Sequence, residues 1–300
     1  MPRMIARRTL VLGAVLAAPT VLSFRRASAS PPGMQGNELA ERLWHLEART
    51  GGRLGVSVYD TETNISFGHR ESERFALCST YKALAVACVL SKVDAGEERL
   101  GRRIAYGPAL VLPYSPVSRK FAGREGMTLG GLCGAAMTTS DATAGNLLLD
   151  VIGGPAELTG WLRKTGDTET RLDRREPFLK EARKDDMRDT TTPEAMLATL
   201  GRLALGDVLS DHSRQRLVGW MVDNRTGDKR LRAGLSRDWR IGDRTGTNGM
   251  GAASDVAVIW PKRRAPVLAT VYIAEATTPL ATLEAVMADV GRIVVDMVGR

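Results

Sequence analysis

The sequence predicts a mixed α/β (α+β) fold, in which an antiparallel sheet is built from both termini, is flanked by helices and encloses an all-helical lobe. β-prone runs occur at 54–62 in the N-terminal part and at 239–243, 253–260 and 267–274 in the C-terminal part. The segments from 127 to 222 have helical rather than alternating patterns. Because one sheet must take strands from both ends, we expect the middle to be an insertion, with an active-site cleft where the two lobes meet.

The N-terminal part of the predicted sheet lobe begins with a helix. Residues 37–50 form an amphipathic pattern that is closed by Gly51-Gly52, with leucines spaced at i, i+4 and i+7, namely Leu39, Leu43 and Leu46. The run 54–62 is rich in Val, Tyr and Thr, and Asn64 interrupts it before Ile65-Ser66-Phe67. This arrangement predicts a β-hairpin.

Two more helices are predicted, one inside the insertion and one at the end of the chain. Residues 82–90 are apolar on every side, which is typical of a buried helix. The C-terminal helix keeps a three-to-four spacing of apolar residues, namely Leu283, Val286, Met287, Val290, Ile293, Val294 and Met297. We therefore predict that residues 30–69 and 223–300 form the α/β lobe and that 70–222 form the helical lobe.

The first 29 residues predict a secretory signal peptide. Arg7-Arg8 precede an apolar or small stretch from Thr9 to Phe24, and Ala27-Ser28-Ala29 provides an A-x-A cleavage site. The paired arginines suggest export of the twin-arginine type, to the periplasm or the medium. A membrane anchor is the alternative, but the apolar run is short for a span. We expect no stable membrane anchor after cleavage.

Charge and composition exclude several classes of function. The predicted leader holds five arginines and no acidic residue, so the net charge of +8 falls to +3 beyond it. Without a basic run or interleaved aromatics, this charge gives no case for nucleic-acid binding. The three histidines show no zinc-ligand spacing, and we expect neither a metal nor an organic cofactor. A monomer is expected.

The three cysteines, Cys78, Cys88 and Cys133, leave at least one thiol unpaired, because their number is odd. Cys78 directly precedes a serine that is a candidate nucleophile. A catalytic cysteine is the alternative, but no histidine stands beside it to act as its base. We interpret Cys78 as a small apolar neighbour of the nucleophile.

The first chemical motif is Ser79-Thr80-Tyr81-Lys82 at the start of the predicted buried helix. There the Ser79 hydroxyl lies near free backbone N–H groups and the positive end of the helix dipole. Lys82 follows one turn later on the same face, where it either accepts the serine proton as a neutral amine or polarises the hydroxyl as a cation. Alone the pattern is weak, because a capping serine and an exposed lysine have the same spacing.

A second serine opens another apolar helix. In Ser140-Asp141-Ala142, the Ser140 hydroxyl can relay a proton to a leaving nitrogen, and Ser140 or Asp141 can also cap the helix. Both roles can hold together.

The third motif, Arg244-Thr245-Gly246-Thr247, follows the predicted strand 239–243. Its cation and hydroxyl can hold a substrate carboxylate, and its glycine allows close approach of the strand. The N–H groups of Thr247 and Ser79 can face a carbonyl oxygen as an oxyanion hole.

The fourth motif contains a carboxylate, Glu176, followed by Pro177. In a cleft, such a carboxylate can activate the water that hydrolyses a serine ester. Arg174 and Asp189 on either side can form an ion pair that closes the loop between them, or can be solvated surface charges.

Together, the order and spacing of these motifs resemble a class A serine β-lactamase over roughly residues 37–298. The matching segments are 74–82, 114–117, Glu176-Pro177 and 188–193. The resemblance implies that Ser79 is acylated, that Lys82 accepts a proton, that Ser140 relays a proton to the β-lactam nitrogen and that Glu176 activates the deacylating water. It also implies an Ω loop around 172–189 with a cis bond before Pro177.

The resemblance further assigns residues to substrate binding. Tyr114 resembles the aromatic residue at the cleft mouth. Arg230 occupies the position at which some members, including carbapenem-hydrolysing ones, supply a second cation, so we expect Arg230 and Arg244 to share the substrate carboxylate. Penicillins are the expected substrates, with cephalosporins or carbapenems left open.

Several positions depart from the family pattern. Ala142 replaces an asparagine that holds the acylamide of the substrate, which predicts weaker positioning and a wider cleft. Lys180 replaces an asparagine that helps to hold the deacylating water; if it points inward, deacylation is slow and Lys180→Asn accelerates it. Arg244 replaces the commoner lysine and keeps the charge. Asn248 stands at the position where some carbapenemases carry the disulfide partner of Cys78, so we expect no bridge.

Two other classes of function remain. A D,D-peptidase or penicillin-binding protein shares the serine and lysine but lacks an efficient water-activating carboxylate. A non-enzymatic binding or sensor domain stays acylated. Glu176 favours the hydrolase, whereas Ala142 and Lys180 keep the slow alternatives open.

Overall fold

The computed structural model describes residues 36–181 and 184–299, with the exception of the Lys180 side chain. The predicted leader lies outside the described residues. No helix within these ranges is long and apolar enough to cross a membrane.

A five-stranded antiparallel sheet takes its strands from both parts of the chain, as the sequence predicts. The strands are β1 (Arg53–Asp60), β2 (Ser66–His69), β7 (Arg240–Thr247), β8 (Ala253–Trp260) and β9 (Val267–Ala274). Their order in the sheet is β2-β1-β9-β8-β7, and every neighbouring pair is antiparallel. Register places Asp60 opposite Val267, so an N-terminal strand lies directly beside the last strand.

The segment between β2 and β7 is mainly helical. Its α-helices are α2 (Tyr81–Asp94), α3 (Leu129–Thr139), α4 (Ala142–Ile152), α5 (Pro155–Lys164), α6 (Pro193–Ala204), α7 (Asp211–Val222) and α8 (Leu231–Gly234). Two short ladders also occur, in which β3 (Phe75–Ala76) pairs with β6 (Thr190–Thr191), and β4 (Arg103–Ile104) pairs with β5 (Met127–Thr128). The first ladder pairs the residues just before Ser79 with the end of the loop that contains Glu176.

The sheet separates two hydrophobic cores. Helices α1 (Gly36–Thr50) and α9 (Leu280–Val298) cover one face, where they pack on Ala257 and Ile259 of β8. Val256 and Val258 point to the opposite face and join a core centred on α2. This division follows from the two-residue period of a strand, which sends successive side chains to opposite faces.

Helix α2 is buried along its first ten residues, 81–90, as its uniformly apolar pattern predicts. Ser79 itself lies in the preceding turn of 3-10 helix, Cys78–Thr80. One strand boundary differs from the prediction. The run 239–243 extends as β7 to Thr247, because 244–247 continue the ladder with β8. The Arg244–Thr247 motif is therefore part of the central sheet rather than a segment that follows a strand.

Candidate active site

Ser79, in the 3-10 turn Cys78–Thr80, and Lys82, at the start of α2, face each other. The Lys82 ammonium Nζ lies 3.0 Å from Ser79 Oγ, and both residues are buried. The three-residue spacing places them on one side of the helix, as predicted. Gly145 of α4 makes room for this arrangement, since a Cβ there would lie 2.8 Å from Lys82 Cε and 2.5 Å from the Tyr81 hydroxyl.

Lys82 connects Ser79 to two residues that are distant in sequence. Besides Ser79, its Nζ donates to the Ser140 carbonyl at 3.0 Å, contacts Ser140 Oγ at 3.4 Å and pairs with Glu176 Oε1 at 3.2 Å. A buried ammonium is tolerated only when it is paired and hydrogen-bonded. The structure thus brings together the four residues predicted to be catalytic, around one cation.

The turn between α3 and α4 explains how Ser140 reaches Lys82. Ser140 has a left-handed backbone (φ 60°), and the neighbouring Asp141 caps α4 by accepting from Ala144 N at 2.9 Å. The Asp141 carboxylate also accepts from the backbone N–H groups of Val117 and Ser118, at 3.0 and 2.8 Å. Because Asp141 supplies the cap and fixes the turn, the Ser140 hydroxyl is left to face the cleft.

Glu176 is held in place through its backbone by a residue that the sequence reasoning missed. Asn146 Nδ2 donates to the Glu176 carbonyl at 2.9 Å, and Asn146 Oδ1 accepts from Glu176 N at 3.1 Å. The peptide bond between Glu176 and Pro177 is cis. One signal was present in the sequence, since Asn146 lies one turn after Ala142 on α4 and therefore shares the face of the helix that borders the cleft.

The loop around Glu176 is closed by Arg174 and Asp189. Arg174 Nε lies 2.5 Å from Asp189 Oδ2, and Asp189 Oδ1 accepts from the backbone N–H groups of Asp173 and Arg174 at 2.7 and 2.9 Å. The Asp189 carboxylate is fully buried, so these bonds replace the water that it loses. Lys180 ends the short 3-10 turn Phe178–Lys180 in this loop, and its side chain lies outside the described residues.

Strand β7 forms the opposite wall of the cleft. Gly246 allows its close approach, because a Cβ there would lie 2.8 Å from Cys78 Cβ and 3.0 Å from Ser79 N. The strand backbone next to Thr247 is thereby brought beside the N–H of Ser79. This proximity is what two backbone donors need in order to face one oxyanion.

The two predicted carboxylate-binding arginines have different surroundings. Arg244 is fully buried beneath the cleft and donates through Nη2 to Ser140 Oγ at 2.6 Å. Burial lowers the pKa of its guanidinium to about 10, but the group still carries its charge at neutral pH. Arg230 lines the cleft, with Nη2 lying 2.6 Å from Thr247 Oγ1 and Nη1 donating to the carbonyls of Gly246 and Ser254.

The cleft between the two walls has a volume of about 360 Å³. Ten of its lining residues are predicted ones, and Thr226 and Leu280 are additional: Ser79, Lys82, Tyr114, Ser140, Ala142, Glu176, Thr226, Arg230, Thr245, Gly246, Thr247 and Leu280. Arg244, which was predicted to share the substrate carboxylate with Arg230, is not among them, because it is fully buried beneath the cleft. Tyr114 and Leu280 are the two half-exposed apolar side chains of this lining. Such a cleft suits a small molecule with an apolar body and polar groups to be oriented.

Comparisons with known proteins agree on the family. The model of the β-lactamase enzyme family matches residues 38–298. β-Lactamase L2 of Stenotrophomonas maltophilia is 44% identical over 275 residues, which cover 91% of this chain and 90% of the relative. The chain belongs to the class A β-lactamases. This family consists of serine hydrolases that act on β-lactams, and its members are typically exported.

Solved structures of class A β-lactamases share the fold. The ancestral (GNCA) class A β-lactamase is 58% identical with a TM-score of 0.84, and the match covers 86% of this chain and 99% of that one. A β-lactamase from Xanthomonas campestris pv. campestris is 46% identical with a TM-score of 0.85, over 87% and 97% of the two chains. The mixed α/β architecture is thus that of the family.

Two departures from the family pattern are visible at this β-lactamase site. Ala142 begins α4, and its N–H donates to the Tyr114 carbonyl at 2.9 Å, but its methyl group offers the cleft no hydrogen bond. Cys78, Cys88 and Cys133 are buried and form no disulfide, and burial raises the pKa of the Cys88 thiol to about 12. Asn248 instead accepts from the N–H groups of Met250 and Ala252 and shapes the turn after β7.

Proposed function

We propose that this class A β-lactamase opens the β-lactam amide through an acyl-enzyme on Ser79, which water activated by Glu176 then hydrolyses. The observation that carries the proposal is the position of Lys82 Nζ, 3.0 Å from Ser79 Oγ and 3.2 Å from Glu176 Oε1. One cation therefore links the nucleophile to the carboxylate in a buried site. Such a link allows proton transfer during both bond-forming steps.

In acylation, Ser79 Oγ attacks the β-lactam carbonyl carbon and its proton leaves toward the Lys82–Glu176 pair. The developing oxyanion is stabilised by the N–H groups of Ser79 and Thr247. When the ring C–N bond breaks, the nitrogen takes a proton from Ser140 Oγ, which Lys82 and Arg244 contact from two sides. These two cations stabilise the alkoxide character that Ser140 gains as it gives up its proton.

In deacylation, the Glu176 carboxylate removes a proton from a water molecule that attacks the ester carbonyl. Asn146 fixes the Glu176 backbone from both sides, and the Arg174–Asp189 pair closes the loop that carries it. A base that is held in this way loses little freedom when the water binds. Glu176 is the group that distinguishes this reading from a D,D-peptidase, which would remain acylated for much longer.

We infer the substrate class from the arginines at the cleft wall that β7 (Arg240–Thr247) forms, here called the strand wall. β-Lactams carry a carboxylate, and Arg230 lines the cleft while Arg244 lies directly behind it. We propose penicillins as substrates, with cephalosporins or carbapenems as further classes. We also propose that the enzyme acts as a monomer, that residues 30–69 with 223–300 and residues 70–222 are its two lobes, and that a leader of the twin-arginine type exports it.

Intact-protein mass spectrometry after mixing with a penicillin tests the proposal. The wild-type chain from Ser30 onward is expected to show a transient adduct and to release hydrolysed product. Ser79→Ala is expected to show no adduct, because it removes the hydroxyl that lies 3.0 Å from Lys82 Nζ. A persistent wild-type adduct would favour the penicillin-binding alternative, and an adduct on Ser79→Ala would place the nucleophile elsewhere.

A further inference from the structure

A hydrogen-bonded row of side chains runs from a buried carboxylate to the cleft along the strand wall. Asp243 Oδ2 accepts from Asn224 Nδ2 at 3.0 Å, and Asn224 Oδ1 lies 2.8 Å from Thr226 Oγ1. Thr226 Oγ1 in turn lies 2.5 Å from Thr245 Oγ1. Thr226 and Thr245 line the cleft, whereas Asp243 and Asn224 are buried behind them. None of the four bonds directly to Ser79, Lys82 or Glu176.

The orientation of the Asn224 amide is fixed by a backbone donor. The N–H of Thr226 lies 3.1 Å from Asn224 Oδ1, and a backbone N–H can only donate. The oxygen of the amide must therefore face Thr226, and its nitrogen faces Asp243. Arg232 donates to the other carboxylate oxygen of Asp243, which keeps that group an acceptor on both sides. Gly227 leaves room for the bond between Asn224 and Asp243, since a Cβ there would overlap Asp243 Oδ2.

The direction of the next two hydrogen bonds follows from counting protons. An amide oxygen can only accept, so the Thr226 hydroxyl must donate its single proton to Asn224 Oδ1. Thr226 then has no proton left for Thr245. The short contact between the two hydroxyls is consequently a bond in which Thr245 donates to Thr226. Because the Thr245 hydroxyl donates its proton to Thr226, it presents only lone pairs to the cleft.

The proton of the neighbouring Thr247 hydroxyl is also used in a hydrogen bond within the protein. Thr247 Oγ1 accepts from Arg230 Nη2 at 2.6 Å and donates to the Gly246 carbonyl at 2.7 Å. Both threonine hydroxyls of the motif therefore offer acceptors, and the positive charge of Arg230 supplies the attraction for an anion. A carboxylate beside Thr245 can accept a hydrogen bond from the Thr245 hydroxyl only if the bond from Thr245 to Thr226 is broken.

We propose that Thr226 and Asn224 are positioning residues that make the Thr245 hydroxyl a hydrogen-bond acceptor toward the cleft, and that they thereby set the selectivity for the substrate group bound there. The inference rests on the proposed function, because that group is taken to be the carboxylate of a β-lactam. Thr245 then favours a ligand group that donates a hydrogen bond, such as a primary carboxamide. Removing the acceptor at 226 frees the Thr245 proton for a carboxylate.

Thr226→Val tests this selectivity, since valine has the shape of threonine without the hydroxyl. The measured quantity is the second-order acylation rate constant for a penicillin, divided by that for the same penicillin with its carboxylate converted to a primary carboxamide. In Thr226→Val this ratio is expected to rise about fivefold, the fold-change that corresponds to one net hydrogen bond. Asn224→Ala, which removes the acceptor for Thr226, is expected to shift the ratio in the same direction.

Thr226→Ser is the matched control, because it keeps the hydroxyl and should keep the wild-type ratio. A loss of packing would lower both rate constants together and leave the ratio unchanged. An unchanged or reduced ratio in Thr226→Val would overturn the proposal.

Neutron diffraction of the deuterated wild-type protein tests the row without any turnover. The deuteron of Thr245 Oγ1 is expected between the two threonine oxygens, and one that points into the cleft would contradict the inference. This measurement separates the two proposals. If wild-type protein is never acylated by a penicillin, the proposed function fails, while the neutron density still decides the direction of the row.

Discussion

The two walls of the cleft differ in how their charges are balanced. On the helical wall, the buried Lys82 ammonium lies against the buried Glu176 carboxylate, and Ser79 and Ser140 are bonded to the same cation. On the strand wall, Arg244 is buried with no ion pair among the described residues. Two of its N–H groups, at Nε and Nη1, have no hydrogen-bond partner there. One wall holds a close buried ion pair, and the other holds a buried guanidinium that has no direct ion-pair partner among the described residues.

This difference indicates a division of labour. A neutral ion pair can exchange protons at low cost, because moving a proton between its members creates no new net charge in the buried site. A desolvated guanidinium instead retains a strong field, since little water screens it. The helical wall is therefore suited to proton transfer, and the strand wall to attracting an anionic substrate and to stabilising Ser140.

The largest expected effect, on the deacylation rate, comes from a substitution that removes the carboxylate of the helical wall. Glu176→Gln keeps the shape of the side chain but abolishes the base, so deacylation is expected to slow by about 10²–10⁴-fold. Acylation is expected to be slowed less, because Lys82 still lies beside Ser79 and can accept its proton. Stopped-flow or quenched mass spectrometry would then show the acyl-enzyme accumulating. Glu181→Gln is the control, because Glu181 is an exposed carboxylate in the same loop. Equal lifetimes in Glu176→Gln and wild type would show that the base lies elsewhere.

A smaller loss of acylation rate is expected when a glycine of either wall is replaced by alanine, and the two losses should differ. A Cβ at Gly246 would meet Cys78 Cβ and the backbone N of Ser79, whereas one at Gly145 would meet the Tyr81 hydroxyl and the end of the flexible Lys82 side chain. Gly246→Ala must therefore displace the strand from Ser79, and acylation is expected to fall about 10²–10³-fold, as when an oxyanion donor is lost. Gly145→Ala is expected to cost less, because the Lys82 side chain can adjust.

The acylation rates of the two alanine variants are measured with a penicillin under single-turnover conditions and compared. Gly160→Ala serves as the control, since a Cβ at that position of α5 has no atom within 4 Å. A larger loss in Gly145→Ala than in Gly246→Ala would reverse the assigned importance of the two contacts.

The smallest expected effect concerns the mouth of the helical wall. Ala142→Asn adds an amide where α4 borders the cleft, and KM for β-lactams with an acylamide is expected to fall by a factor of about two to ten, the range for one hydrogen bond. Ala142→Val adds bulk without an amide and should not reproduce this gain. If both variants leave the kinetics of every substrate unchanged, residue 142 does not position the acylamide.

The secondary structure of this chain was predictable to a large extent. The leucine spacing of 37–50 and the uniformly apolar run 82–90 correspond to α1 and α2, because helical and strand periods are properties of the local chain. The boundary of β7 was predicted too short. Residues 244–247 look polar and turn-like in sequence, but pairing with β8 makes them a strand.

The sequence by itself identified the candidate catalytic residues. Ser79 and Lys82 are three residues apart, and helix geometry alone places them together. Only the tertiary structure decided how the rest of the site is arranged. Glu176 is clamped by Asn146 from 30 positions away, and Arg244 reaches Ser140 across 104 positions. Such contacts depend on how helices and sheet pack, and packing is a property of the whole chain that no local spacing encodes.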